Sequence, residues 1–314
     1  MLERDVQILM DATPEGRLDA GWQSGVMRQR AKTIKAGRHL YLDSYPIWDT
    51  RTERNAQEIA RSIRQRSKET MDKLNARRAQ RKLEVLINAN FGPGDLLVTC
   101  TYRMGEGPDN AKQAARDATN MIARLKRIYA RTGKELRYIY VTEVQRSRKG
   151  DRYHHHMILS AGPSREQVEE CWTARRSRKE TGRGLCNTRR AQSQPEGLTG
   201  WAKYITKSAS GYGKGQETAT KRKWCASKNL IMPQPSVADK KISRRRVEKI
   251  ARDMTTDHQE TRKVLEKLYP GYELLECRVR TSEWVTGAYI SVIMAKKEEK
   301  RGKTIHGGRT DRGS

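Results

Sequence analysis

Two strand-like runs, Leu136 to Gln145 and Arg152 to Leu159, are separated only by the polar stretch Arg146 to Asp151 (RSRKGD). A six-residue polar connection between two β-favouring segments suits a hairpin, and a hairpin commits the chain to an antiparallel sheet. Leu96 to Tyr102 reads as a further buried strand. The helix after it carries Ala114, Ala118, Met121, Ile122, Leu125, Ile128 and Tyr129 as an apolar stripe, with Asp109 as its expected cap and Gly133 closing it. Downstream, Ser164 and Gln167 form a capping-box pattern ahead of Val168, Cys171 and Trp172. Leu185 to Arg190 is a strand candidate, and Leu198, Trp201, Tyr204 and Ile205 fall on another short helix. The order strand, helix, strand, strand, helix, strand, helix predicts an α+β fold, a central antiparallel sheet with flanking helices.

The flanks read differently. Residues 1–50 are weakly patterned, with a short strand at 37–42 interrupted soon after by Pro46. Residues 51–87 have helical spacing without Gly or Pro. Asn88 to Asp95 is a turn-rich break. Pro233 and Pro235 mark a second boundary. One basic helix over 243–268 and strands over 272–281 and 284–294 follow. The expected organisation is a basic, largely helical N-terminal extension (1–90), a central domain (91–235), a C-terminal helix with strands (236–295) and a disordered basic tail (296–314).

Charge decides the class of partner. Sixty-five Lys and Arg against 37 Asp and Glu leave a formal +28 over 314 residues, which calls for an anionic partner, with nucleic acid the first choice. No apolar run approaches the ~20 residues of a membrane span, and no signal-peptide pattern opens the chain. The five cysteines are scattered without a CxxC pair, which argues against a disulfide framework or a cysteine zinc site and for a reducing cytoplasm.

Three of the six histidines are consecutive, within Tyr153-His154-His155-His156-Met157-Ile158-Leu159. Strand side chains alternate faces, so His154 and His156 share one face and His155 takes the other. If Gln145 pairs with Arg152 around the hairpin, Glu143 lies opposite His154 and projects from the same face. Two imidazoles and a carboxylate suit Mg²⁺, Mn²⁺ or a similar divalent ion. The assignment depends on register, because a one-residue slip reverses the face of Glu143.

Further on, Tyr204 and Lys207 are i and i+3 neighbours on a helix. A phenol with an ordinary pKa of about 10 is a poor nucleophile, and a nearby lysine and metal would favour its phenolate. A YxxK pair alone has little specificity; its weight comes from lying downstream of the His-x-His strand.

The ordered set VTCTY (98–102), YHHHMIL (153–159) and KYITK (203–207) resembles the three motifs of HUH endonucleases, the rolling-circle replication initiators. NANFGPGDLLVTCTY and KWCASKNL (223–230) resemble replication-associated proteins of bacterial phages, plasmids and mobile elements. The likeness covers roughly residues 74–235, with a weaker echo at 265–294. His155 departs from it, standing where the family has a bulky hydrophobic residue. The second tyrosine of YxxxY variants is absent because position 208 is Ser, and Tyr212 is a weaker second candidate. The resemblance implies a single-tyrosine enzyme of RRM-like fold: a metal held by His154, His156 and Glu143, Tyr204 as nucleophile and Lys207 assisting. It implies a 5′-phosphotyrosine link to single-stranded origin DNA and a freed 3′-OH in the bacterial cytoplasm. No GxxxxGK[ST] run is present, so unwinding is expected from a helicase of the host replication machinery.

Basic clusters at 175–190 (seven basic, one acidic) and 221–246 (nine basic, one acidic) are the expected DNA contacts. Arg222, Lys223 and Lys228 surround Trp224, an indole suited to stacking on an unpaired base. Two other readings stay open: a non-catalytic nucleic-acid-binding protein, and a metal-dependent nuclease that retains no tyrosine adduct.

Overall fold

A computed structural model describes residues 27–48, 68–146, 150–176, 179–192, 194, 197–206, 216–218, 224–239, 241–253, 259–282 and 285–297. The elements are β1 (Met27–Ala36), β2 (His39–Trp48), α1 (Lys68–Asn90), β3 (Leu96–Thr101), α2 (Ala111–Arg131), β4 (Tyr138–Gln145), β5 (Arg152–Leu159), α3 (Arg165–Glu169), β6 (Thr173–Arg176), β7 (Lys179–Gly182), β8 (Cys186–Arg190), α4 (Thr199–Thr206), β9 (Gln216–Thr218), β10 (Cys225–Ala226), β11 (Ser236–Ala238), α5 (Arg244–Asp253), α6 (Gln259–Leu268), β12 (Tyr272–Ser282) and β13 (Val285–Lys296). The fold is α+β, built on two antiparallel sheets.

The central sheet runs β10-β4-β5-β3-β8, with β9 also paired to β4. It is buried on both sides. Tyr140, Met157, Leu159, Leu96 and Val98 meet Ala118, Met121, Ile122 and Leu125 of α2 on one face. Ile139, Val141 and Ile158 meet Leu83, Leu86 and Ile87 of α1 and Ala202 and Ile205 of α4 on the other. The cap of α2 is Asn110, one residue after the expected Asp109: its extended backbone lets Oδ1 accept the Gln113 N–H at 3.0 Å. The Ser164–Gln167 capping box is present in full. The sequence reading missed the small hairpin of β6 and β7.

The second sheet joins the segments expected as separate extensions. Its order is β11-β1-β2-β13-β12. The β1–β2 hairpin turns at Gly37, whose φ of 56° suits the tight two-residue connection. β2 runs on through Pro46, where the sequence suggested an interruption. β13 pairs with β2 only as far as Ser44, so Pro46 has a neighbour on one side alone and its missing N–H breaks no ladder there. The single helix expected over 243–268 is two, α5 and α6. Asp253 ends the first, and its buried carboxylate accepts the Thr261 N–H of the second at 2.6 Å. Both pack on Leu40, Leu42, Val292 and Met294.

Tyr41 projects from the opposite face of β2 toward Val85 of α1. Helix α1 therefore lies between the two sheets, which explains its unbroken apolar run at Leu83, Val85, Leu86 and Ile87. Among the described residues no helix is long and apolar enough to cross a membrane. The tail beyond Lys297 is outside the described residues.

Candidate active site

The hairpin register is Gln145 opposite Arg152, Glu143 opposite His154 and Val141 opposite His156. Glu143 and His156 are both buried, and Glu143 Oε2 stands 3.4 Å from His156 Nε2. The other ring nitrogen of His156, Nδ1, is 3.2 Å from Thr99 Oγ1 on β3, directly across the sheet. That contact fixes the ring and leaves Nε2 toward Glu143, the arrangement by which an outer partner orients a ligating imidazole. His154 is half-buried. Burial first, then the neighbouring His156, hold its pKa below the ordinary histidine value against the opposing pull of Glu143, which favours the neutral, lone-pair form.

His155 points the other way and is fully buried. Its Nδ1 lies 2.9 Å from Thr142 Oγ1, and its Nε2 2.8 Å from Tyr102 Oη. Its ring meets Trp172 edge-on at 5.3 Å. Tyr102 donates onward to Asp117 at 3.3 Å, and Asp117 pairs with Arg183 at 2.8 Å. Burial pushes the His155 pKa down to about 3, so the ring is neutral. With both nitrogens engaged in the core, His155 has no lone pair to offer a ligand on the other face.

Helix α4 supplies the tyrosine. Leu198, Ala202 and Ile205 are buried, while Tyr204 is 54% exposed. Its ring sits edge-on to His156, with centroids 5.3 Å apart at 83°. The start of α4 is held by Asn88, a residue that the sequence reading had merged into a loop-forming break. Asn88 Oδ1 accepts the Leu198 N–H at 3.0 Å, and Nδ2 donates to Thr199 Oγ1 at 3.0 Å and Tyr41 Oη at 2.6 Å. Gly197 (φ 60°) packs so closely that a Cβ would meet His39 at 2.4 Å and Asn88 Oδ1 at 2.8 Å. On another side of the helix, Lys203 pairs with Glu276 of β12 at 3.2 Å.

The structure thus brings together Glu143, His154, His156 and Tyr204. Lys207, Tyr212, Arg222 and Lys223 lie outside the described residues. Trp224 is partly buried against the cluster containing Ile139 and Val141. Lys228 is exposed beside Tyr138, because the neighbouring Ser227 N–H bonds Tyr138 O. Tyr138 is five residues along β4 from Glu143, roughly 17 Å at strand rise. Lys228 therefore stands apart from the histidines.

Among the described residues no three His, Cys, Asp or Glu side chains converge as a finished metal cage. The donor chemistry still fits a small divalent ion. Two ligands on bonds of ~2.0–2.2 Å lie roughly 3–3.6 Å apart, and the Glu143–His156 contact of 3.4 Å falls in that interval. His154 stands opposite Glu143 on the same face.

Residues 95–209 match the family model described as Replication-associated protein ORF2. That stretch runs from just before β3 to just past α4 and contains all four residues gathered at the site. No curated protein matches the chain, and no solved structure does. Over this central part the chain is similar to replication-associated proteins, which supports DNA replication as the process it serves and DNA as its partner.

Proposed function

We propose that this protein initiates replication by nicking and rejoining single-stranded origin DNA through Tyr204. The observation that carries the reading is the exposed Tyr204 ring set edge-on against His156, itself 3.4 Å from Glu143, on a helix whose other sides are buried. An exposed aromatic fixed beside a histidine–carboxylate pair has no packing purpose; it suits a phenol that must reach a phosphate.

Tyr204 Oη attacks the scissile phosphorus. The bond from oxygen to phosphorus forms as the bond to the 3′ oxygen breaks. The phenolic proton is released, and the departing 3′ oxygen takes one up. The products are a 5′-phosphotyrosine link and a free 3′-OH able to prime synthesis. One phosphodiester replaces another, so the step needs no nucleotide hydrolysis and runs backward to rejoin ends. Asn88 and the buried Ala202 and Ile205 fix the direction of attack, which matters because reacting atoms must approach to about 3–3.5 Å. Glu143, His154 and His156 would hold Mg²⁺ or Mn²⁺. Such an ion, when bound, supplies Lewis-acid polarisation of a phosphate oxygen. Lys207, one turn beyond Tyr204, is assigned the charge developing on phosphate or phenolate. Strand separation falls to a host helicase, in the bacterial cytoplasm.

The test uses labelled single strands tiled across the replicon that carries the gene, incubated with Mn²⁺ and run on a denaturing gel. The wild type is expected to retain label covalently. Tyr204→Phe keeps the ring and should bind DNA without forming the adduct, and chelation should abolish the adduct in the wild type. Tight binding by the wild type without any adduct would favour a non-catalytic DNA-binding protein, and cleavage without an adduct a hydrolytic nuclease.

A further inference from the structure

Beside Tyr204 the face of the central sheet stays open. Reading across it, Ile139 of β4, Ile158 of β5, Leu97 of β3 and Arg189 of β8 form one row, adjacent to the row of Val141, His156, Thr99 and Asn187. Directly paired residues share a face, so Arg189 projects from the same side as His156, two strands away, or roughly 10 Å at sheet spacing. There an open groove of about 790 Å³ is lined by Arg165, Arg189, Arg190, Gln192, Gln194 and Trp201, with no carboxylate in its wall. The guanidinium groups are only lightly engaged. Arg165 stands 3.9 Å from the exposed Glu166, and Arg190 donates to Gly94 O at 3.3 Å from an exposed position. Trp201 precedes Tyr204 by three residues on α4, so the two aromatics are neighbours on the helix surface. The groove therefore opens onto the tyrosine.

We propose that this groove holds the unpaired DNA segment adjoining the scissile phosphate, an inference that rests on the nicking reading above. Each component suits that ligand. Guanidinium groups with no competing carboxylate take backbone phosphates. A half-buried indole offers a stacking plane to any base. Exposed Gln192 and Gln194 present amides that donate to and accept from base edges. A small anion would leave the indole and the amides unused, and a duplex would hide the base faces that Trp201 can stack on. The occupant is therefore a single strand. This moves the principal DNA contact from Trp224 and Lys228 to the strand edge at β8 and the flank of α4.

The experiment measures binding of a labelled thymidine homopolymer to the full-length protein across a salt series, with adduct formation on the tiled strands measured in parallel. Losing two phosphate contacts should flatten the plot of log affinity against log salt by about 1.4, from ~0.7 per contact on single strands. That is the expectation for the Arg189→Ala/Arg190→Ala double variant. Trp201→Leu keeps an apolar side chain against the core while removing the stacking plane, and should weaken binding about ten-fold. The control is Lys126→Ala/Arg127→Ala, which removes equal charge from α2 beyond the opposite face of the sheet, and it should keep most of its slope. Equal flattening by the two double variants would overturn the groove, since charge alone would then explain binding. So would unchanged binding by Arg189→Ala/Arg190→Ala and Trp201→Leu in a protein that still forms its Tyr204 adduct. Loss of the adduct from the wild type itself would instead overturn the nicking reading.

Discussion

Three identical side chains in a row carry two different jobs, and strand parity separates them. His154 and His156 face the cleft with Glu143, whereas His155 is locked between Thr142, Tyr102 and Trp172. Substituting His155 with Ala leaves two buried hydroxyls unpaired at about 1–3 kcal/mol each, so it should lower the denaturation midpoint strongly. His156→Ala and His154→Ala should leave that midpoint much less changed and instead remove Mn²⁺ binding measured by calorimetry and the DNA adduct. The alternation was legible in the sequence, and so was Glu143, because the polar loop admits a simple register. Asn88 was not legible. It lies at the end of α1 inside a string of turn-forming residues, and its partners come from Tyr41 and from Leu198 and Thr199, far away in the sequence. Asn88→Ala removes all three bonds and the N-terminal hold on α4. A loss of about 2–4 kcal/mol in chemical unfolding is expected, with slower adduct formation even on saturating DNA.

At the scale of elements, α4 is short and depends on its surroundings for direction. Its eight residues cannot sustain a helix in isolation, so Asn88, the buried Ala202 and Ile205, and the Lys203–Glu276 pair together set where Tyr204 points. Burial raises the pKa of Glu276, but Arg278 and Lys203 outweigh it and the net shift is downward. A carboxylate depressed in the folded state stabilises above its unfolded pKa of about 4.5 and loses that contribution as pH falls through the folded value. Glu276→Gln should therefore lower the melting point modestly at neutral pH, by no more than about 1 kcal/mol for a part-exposed pair. The difference from wild type should disappear near pH 3. Elements governed by local pattern, such as α2, the β4–β5 hairpin and the α3 capping box, were legible in sequence. Those governed by distant partners were not. Pro46 looks like a strand breaker until β13 is seen to stop short of it, and α5 and α6 look continuous until Asp253 caps the second.

For the whole molecule, the central domain drawn from the sequence as residues 91–235 omits α1. That helix contributes Leu83, Leu86 and Ile87 to the core beneath the catalytic face, and Phe91 follows it. Burying four such side chains is worth about 1.5–3 kcal/mol each, comparable to the entire ~5–15 kcal/mol stability of a domain. A fragment of residues 91–235 should therefore show poor amide dispersion by NMR and bind a hydrophobic dye, and the full chain should do neither. The sheet uniting β2 with β13 also has a consequence in time. Leu42 pairs with Val292, 250 residues later. At ~5–20 residues per second of synthesis, roughly 10–50 s separate the appearance of the two partners on the ribosome. During that interval the β1–β2 hairpin lacks its β13 neighbour, and Lys203 lacks Glu276. A nascent chain is thus unfinished as a nickase until nearly its last strand has emerged, which would delay covalent attack on DNA until translation is almost complete.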